Sequence, residues 1–179
     1  TSRQQLTTIE RTMAKAKQLP GPTGESNKLY LEPRGVLVCF ADKGVSFEYW
    51  TLSIVTALAT GNVVVSVVSD LFYDEALEFQ KHFLKTGAPE GVFQVARLSH
   101  LNDLLMNEHL SGVVVDSHTE RTAQIAAMLS SREGAILPVI TAEYNDNLIQ
   151  RLLTEKTISI DTTASGGNTS LMTLVEDDE

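Results

Sequence analysis

Residue types able to do chemistry are few and scattered in this chain. There is one cysteine, Cys39, and there are four histidines, His82, His100, His109 and His118. Their spacing fits no metal-ligand pattern, so no metal is expected. Cys39 stands inside the apolar run Val36-Leu37-Val38-Cys39-Phe40-Ala41, which suits a small core residue better than a nucleophile. Asp116-Ser117-His118 holds the residue types of a hydrolytic triad, but adjacent residues rarely converge as a triad does. Glu143 has the chemistry of a general base, yet no nucleophile stands by it. His82 reads as part of a solvated helix face, His100 as a helix start, and His109 as a helix end where a cation suits the dipole. No catalytic residue is expected.

Such groups would need a scaffold, and the scaffold is easier to read. The 179 residues suit one domain, or one domain and a tail. A net charge of −9 without a basic stripe argues against nucleic acid, whose binding needs clustered cations. No apolar run approaches the roughly 20 residues that span a bilayer, so no transmembrane segment is expected. The chain opens on Thr1 rather than Met and has no signal-peptide pattern, so it is read as a trimmed piece of a cytoplasmic protein.

Residues 3 to 18 read as a helix, with Leu6, Ile9, Met13 and Ala16 at helical spacing. Leu19-Pro20-Gly21-Pro22-Thr23-Gly24 reads as a linker or turn, and the globular domain is expected to begin near Lys28. Strands are then expected at 35–41, 63–68, 92–96, 112–116 and 135–140. The helices between and after them fall at 47–60, 73–86, 100–107, 119–131 and 147–154. Uniformly apolar strands that alternate with helices imply a parallel sheet covered on both faces. The expected fold is therefore α/β, a doubly wound, Rossmann-like parallel sheet. A half-exposed strand at 156–161, the polar turn Thr162–Asn168 and an extended stretch at 170–175 add a C-terminal flap. The expected division is 1–27, 28–155 and 156–179.

Three stretches resemble the cofactor-binding domain of aldehyde dehydrogenases. Ala57-Leu58-Ala59-Thr60-Gly61-Asn62-Val63-Val64-Val65 is similar to that family's helix-to-strand corner. Thr86-Gly87-Ala88-Pro89-Glu90-Gly91-Val92 is similar to its Ala-Gly-Leu-Pro-Pro-Gly-Val, and Val113-Val114-Val115-Asp116-Ser117-His118-Thr119-Glu120 sits where it has a strand and Phe-Thr-Gly-Ser-Thr-Glu. Order and spacing agree over residues 35 to 147.

The departures bear on function. Where the resemblance implies a ribose-binding lysine, this chain has Val67. Where it implies a glycine and serine beside the cofactor's pyrophosphate, this chain has Ser117 and His118, and a Cβ stands where close approach is needed. Asp116 adds negative charge nearby. Glu143 aligns with the family's general base, but the glycines of that motif are absent. Val67, Ser117, His118 and Glu143 are thus read as a relict crevice, with no cofactor bound in this segment.

The two ends resemble proline utilization A proteins, a family of bifunctional flavoproteins. Leu19–Asn27 and Ile160–Met172 carry that likeness, the latter with Thr162-Thr163-Ala164-Ser165-Gly166-Gly167-Asn168. The resemblance implies an inactive C-terminal domain. Its parent would use FAD and NAD to oxidise proline to glutamate, and could associate peripherally with the inner membrane. It also implies that residues 162–168 close a tunnel between two active sites. The implied partners are the preceding dehydrogenase domains of the same polypeptide. The strand Thr157-Ile158-Ser159-Ile160 offers an edge for β-augmentation or homo-oligomerisation. The alternatives are a divergent lobe that still binds NAD and a regulatory small-molecule module in the relict crevice.

Overall fold

A computed structural model describes residues 2–13, 15–42, 44–116, 119–142 and 146–161. Five strands form the parallel sheet: β3 (Val36–Ala41), β4 (Val63–Val68), β5 (Phe93–Arg97), β6 (Leu110–Asp116) and β7 (Val139–Ala142). Their spatial order is β5-β4-β3-β6-β7, and every neighbouring pair is parallel. Counted along the chain from β3, this is the 3-2-1-4-5 order of a doubly wound sheet.

The period-two geometry of a strand sends alternate side chains to opposite faces. Leu37, Cys39 and Ala41 of β3 pack under α2 (Phe47–Ala59), α3 (Tyr73–Lys85) and α6 (Asp146–Arg151). Val38 and Phe40 pack under α4 (Leu101–Leu105) and α5 (Thr122–Ser130). Both faces are covered, which is why these strands lack polar alternation. Trp50 and Ser66 meet within the first layer, where the indole Nε1 donates to the Ser66 hydroxyl at 2.8 Å. Edge-on contacts link Trp50 to Phe72 and Phe79, with centroids 4.9 and 5.1 Å apart.

The Gly61-Asn62 corner shows how local chemistry fixes the topology. Gly61 adopts φ +83°, open to glycine but costly for other residues. Its N–H donates to Leu58 O, and Asn62 N–H donates to Ala57 O, so α2 ends in a Schellman motif. The buried Asn62 side chain then accepts from Gly35 N–H and donates to Thr60 Oγ1 and Leu152 O, each at 3.0 Å. One amide thereby ties α2, the start of β3 and the end of α6 together.

A second sheet is antiparallel, in the order β1 (Lys17–Leu19), β2 (Glu25–Pro33), β8 (Leu153–Asp161). Its root is anchored by Ile9 of α1 (Ser2–Met13), Leu31, Ala59, Ile149 and Leu153. Here the structure differs from the sequence reading. The expected helix at 3–18 stops at Met13, and Lys17–Leu19 pairs with Asn27–Leu29 instead. The Pro-Gly stretch is therefore a hairpin turn and not a linker. Residues 25–33, assigned no strand from sequence, pair over their whole length with 153–161. The expected borders at 27/28 and 155/156 fall inside β2 and β8. The last parallel strand lies at 139–142 rather than 135–140. The extended stretch expected at 170–175 lies outside the described residues.

Candidate functional site

In a doubly wound sheet, ligands bind outside the carboxyl ends of the strands where the strand order reverses. That point lies here between β3 and β6. Asp42 follows β3, and Ser46 caps α2, its hydroxyl accepting from Tyr49 N–H at 3.2 Å. Asp116 closes β6 and is only 4% exposed. Arg121 is the N-cap of α5, and its Nε lies 2.7 Å from Asp42 Oδ2. An ion pair thus spans the reversal point, from the loop after one central strand to the helix after the other. Thr119 steadies the near side: its N–H donates to Asp116 O, and its carbonyl accepts from Thr122 Oγ1.

The sequence reading named neither Asp42 nor Arg121. The usable signal was positional: each is a charged residue just beyond the carboxyl end of a central strand. Of the residues it did name, Val67 is fully buried. It lies in register between Phe40 and Ala96, packed with Leu101 and Leu105. Its side chain is part of the core beneath α4. Ser117, His118 and Glu143 lie outside the described residues, as do Thr162, Thr163, Ala164, Ser165, Gly166, Gly167 and Asn168.

Cys39 is buried, and burial pushes its thiol up from 9.0 to about 12. It stays protonated at neutral pH and makes a poor nucleophile. His82 Nδ1 lies 2.7 Å from Glu78 O on exposed α3, and His109 sits beside Glu108 at the surface. Among the described residues no group of His, Cys, Asp or Glu is arranged to hold a metal ion. No described helix is long and apolar enough to cross a membrane. A cavity of about 250 Å³ lies between α5 and the loop before β7, lined by Leu129, Arg132, Ile136 and Val139, away from the reversal point.

The sheet edges form a second candidate surface. Val64 N–H donates to Val92 O, so the next carbonyl, Phe93 O, points away from the sheet. Gln80 Nε2 donates to it at 2.8 Å. At the other margin Val113 N–H takes Pro138 O, which leaves Val139 O outward, and an Arg151 guanidinium nitrogen donates to it at 2.8 Å. β8 is different. Past Leu153 every residue is exposed, and Ile158 and Ile160 are 39% and 52% exposed. Its one neighbour among the described strands is β2.

Comparison with known proteins adds family context. The profile described as the aldehyde dehydrogenase family matches residues 3–144. Over 159 residues the chain is 31% identical to the bifunctional protein PutA of Escherichia coli K12, covering 87% of this chain and 11% of that protein. The chain therefore spans about a tenth of the length of the curated relatives it matches. A crystal structure of a Bradyrhizobium japonicum proline utilization A (PutA) mutant superposes with a TM-score of 0.65 at 24% identity, covering 78% of this chain and 15% of that one. An NAD-dependent benzaldehyde dehydrogenase from Corynebacterium glutamicum gives 0.59 at 17% identity, over 78% and 33%.

Proposed function

This chain belongs to the aldehyde dehydrogenase family, and from that premise we propose that it is a non-catalytic domain of a bifunctional proline-oxidising enzyme. It acts as scaffold and lid for the passage between the two active sites of its parent. Its relatedness to PutA proteins supports the identity of the parent. The two oxidations, with the FAD and NAD they use, belong to the remainder of that polypeptide, which works in the cytoplasm and docks peripherally on the inner membrane. This segment binds neither cofactor. The helix and hairpin before β2 lead in from the preceding dehydrogenase domain, β3 to α6 form the body, and β8 with the residues that follow it forms the flap and lid.

The observation that carries the reading is β8. Among the described residues it is a largely exposed, nine-residue edge strand, and Thr162–Asn168 follow its last residue, Asp161, in sequence. The root is fixed by the apolar cluster at Leu153, and the ladder with β2 runs from there to Asp161. An open edge can add to a neighbouring sheet through backbone hydrogen bonds. Gly166 and Gly167 allow close backbone approach to a facing surface, and Thr162, Thr163 and Asn168 supply hydrogen-bonding side chains. A lid of this kind would keep an aldehyde intermediate out of water while other residues oxidise it.

The test replaces Gly166 and Gly167 with leucine in the whole enzyme and follows NADH formation from proline. A lag before NADH appears, with proline oxidation itself unchanged, is the expected result. Coupled turnover without a lag would refute the lid.

A further inference from the structure

The cavity of about 250 Å³ beside α5 lies at the amino end of β7, and its lining falls wholly within the described stretch 119–142. Small side chains leave it open. Ala126, Leu129 and Ser130 stand at helical spacing on one stripe of α5 and face it together. The chain then reaches β7 through Gly134, at φ +99°, and Ala135, and a Cβ added at Gly134 would meet nothing within 4 Å. Leu129, Leu137 and Val139 give the space apolar walls, and Ile136, also on its lining, is 98% exposed. One cation shares that lining. Arg132 donates from Nη1 to Leu105 O at 2.7 Å and from Nη2 to Asn107 O at 2.8 Å, which holds its fork against the end of α4. A guanidinium has five N–H donors, so others remain beyond these two bonds. Arg132 forms no ion pair among the described residues.

Apolar walls with one fixed ionic group are the pattern of a small-molecule site, in which the walls hold the ligand and the polar group orients it. We propose that this cavity binds a small carboxylate with a compact apolar body, its carboxylate on Arg132 and its hydrocarbon against Leu129, Leu137 and Val139. Size limits the occupant. Drug-sized ligands fill roughly 300–1,000 Å³, whereas a dry apolar cavity of about 150 Å³ takes benzene. The volume here falls between the two and suits a ring or branched chain of about six to eight carbons. Charge limits it further. A neutral hydrocarbon leaves the fork unmatched, and a bare phosphate leaves the apolar walls without a partner. The site lies at the opposite end of the strands from the reversal point and apart from β8, so it stands or falls independently of the lid.

The experiment titrates the 179-residue chain with benzoate and with benzyl alcohol, its uncharged counterpart, at fixed ionic strength, and follows backbone amide shifts by two-dimensional NMR. Benzoate should shift the amides of Arg132, Gly134 and Ile136 to saturation and bind about ten-fold or more tighter than benzyl alcohol. Ala126→Leu fills the space from an exposed helix position and leaves Arg132 in place, and it should weaken both probes about ten-fold. Arg132→Gln should erase the preference for benzoate. Because it also gives up the two bonds to backbone carbonyls, its fold is read from the same spectra. Arg132→Lys, which keeps the charge but not the fork, should show a reduced preference and serves in its place should the glutamine variant unfold. Equal affinity of the wild type for the two probes would overturn the carboxylate assignment. Benzoate binding unmoved by Ala126→Leu, or no saturable binding of either probe, would overturn the site itself.

Discussion

At each margin of the parallel sheet a side-chain nitrogen sits 2.8 Å from an outward carbonyl, Gln80 on Phe93 and Arg151 on Val139. Along β8 the exposed residues run for most of a nine-residue strand, and two isoleucines remain in water. Unpaired strand edges recruit other strands, and proteins usually blunt them. One sheet here is blunted, whereas the far side of β8 meets no other strand among the described residues. The contrast separates a body closed on itself from the flap that the proposed function has docking on the rest of the enzyme. It also shows that sealing an edge takes little: one amide or one guanidinium at the first exposed carbonyl of a short strand.

That contrast can be broken at its joint. Asn62→Ala removes the amide that bonds Gly35, Thr60 and Leu152, and leaves buried partners unsatisfied. We expect a loss of about 3 kcal/mol, read as a lower urea midpoint with unchanged slope. An unchanged midpoint would mean that the corner does not join body to flap root. A smaller effect comes from unsealing the body. Gln80→Leu should cost about 1 kcal/mol and expose Phe93 O, with concentration-dependent association seen by light scattering. If the variant stays dispersed, the amide is not what protects β5. The smallest effect sharpens the flap side. Ile158→Lys with Ile160→Lys should shift the melting of this chain by less than about 0.5 kcal/mol, because both residues already face water. In the whole enzyme the same pair should weaken flap docking and bring on the NADH lag. A large loss of stability in the isolated chain would instead place these isoleucines in the core.

The body was legible because its strands are buried on both faces and read as continuous apolar runs between glycine-marked turns. Gly61-Asn62 was legible for the same reason, since its left-handed corner leaves a local signature. The antiparallel sheet was not. β2 carries Glu25, Ser26, Asn27 and Lys28 among its nine residues, and no short-range pattern reports that its partner lies beyond the last helix. Lys17 and Gln18 looked helical because Met13 and Ala16 continued the spacing of Leu6 and Ile9. The hairpin closure at Pro20–Gly24 overrode that weak propensity. Asp42 and Arg121 were missed because an ion pair between residues so far apart leaves no trace in spacing. It emerges only once the strand order is known.

The pairing of β2 with β8 has a consequence for synthesis. Pro33 and Leu153 are ladder partners with roughly 120 residues between them. At about 5–20 residues per second of translation, β2 waits on the order of ten seconds for its neighbour. During that interval β1, only a few residues away, can already cover one side of β2, while the other side stays bare until almost the whole body has emerged. Closing that side is a late, high-contact-order step. A chain cut short before residue 153 would carry the naked margin permanently, so flap closure doubles as a mark that translation has passed through the domain.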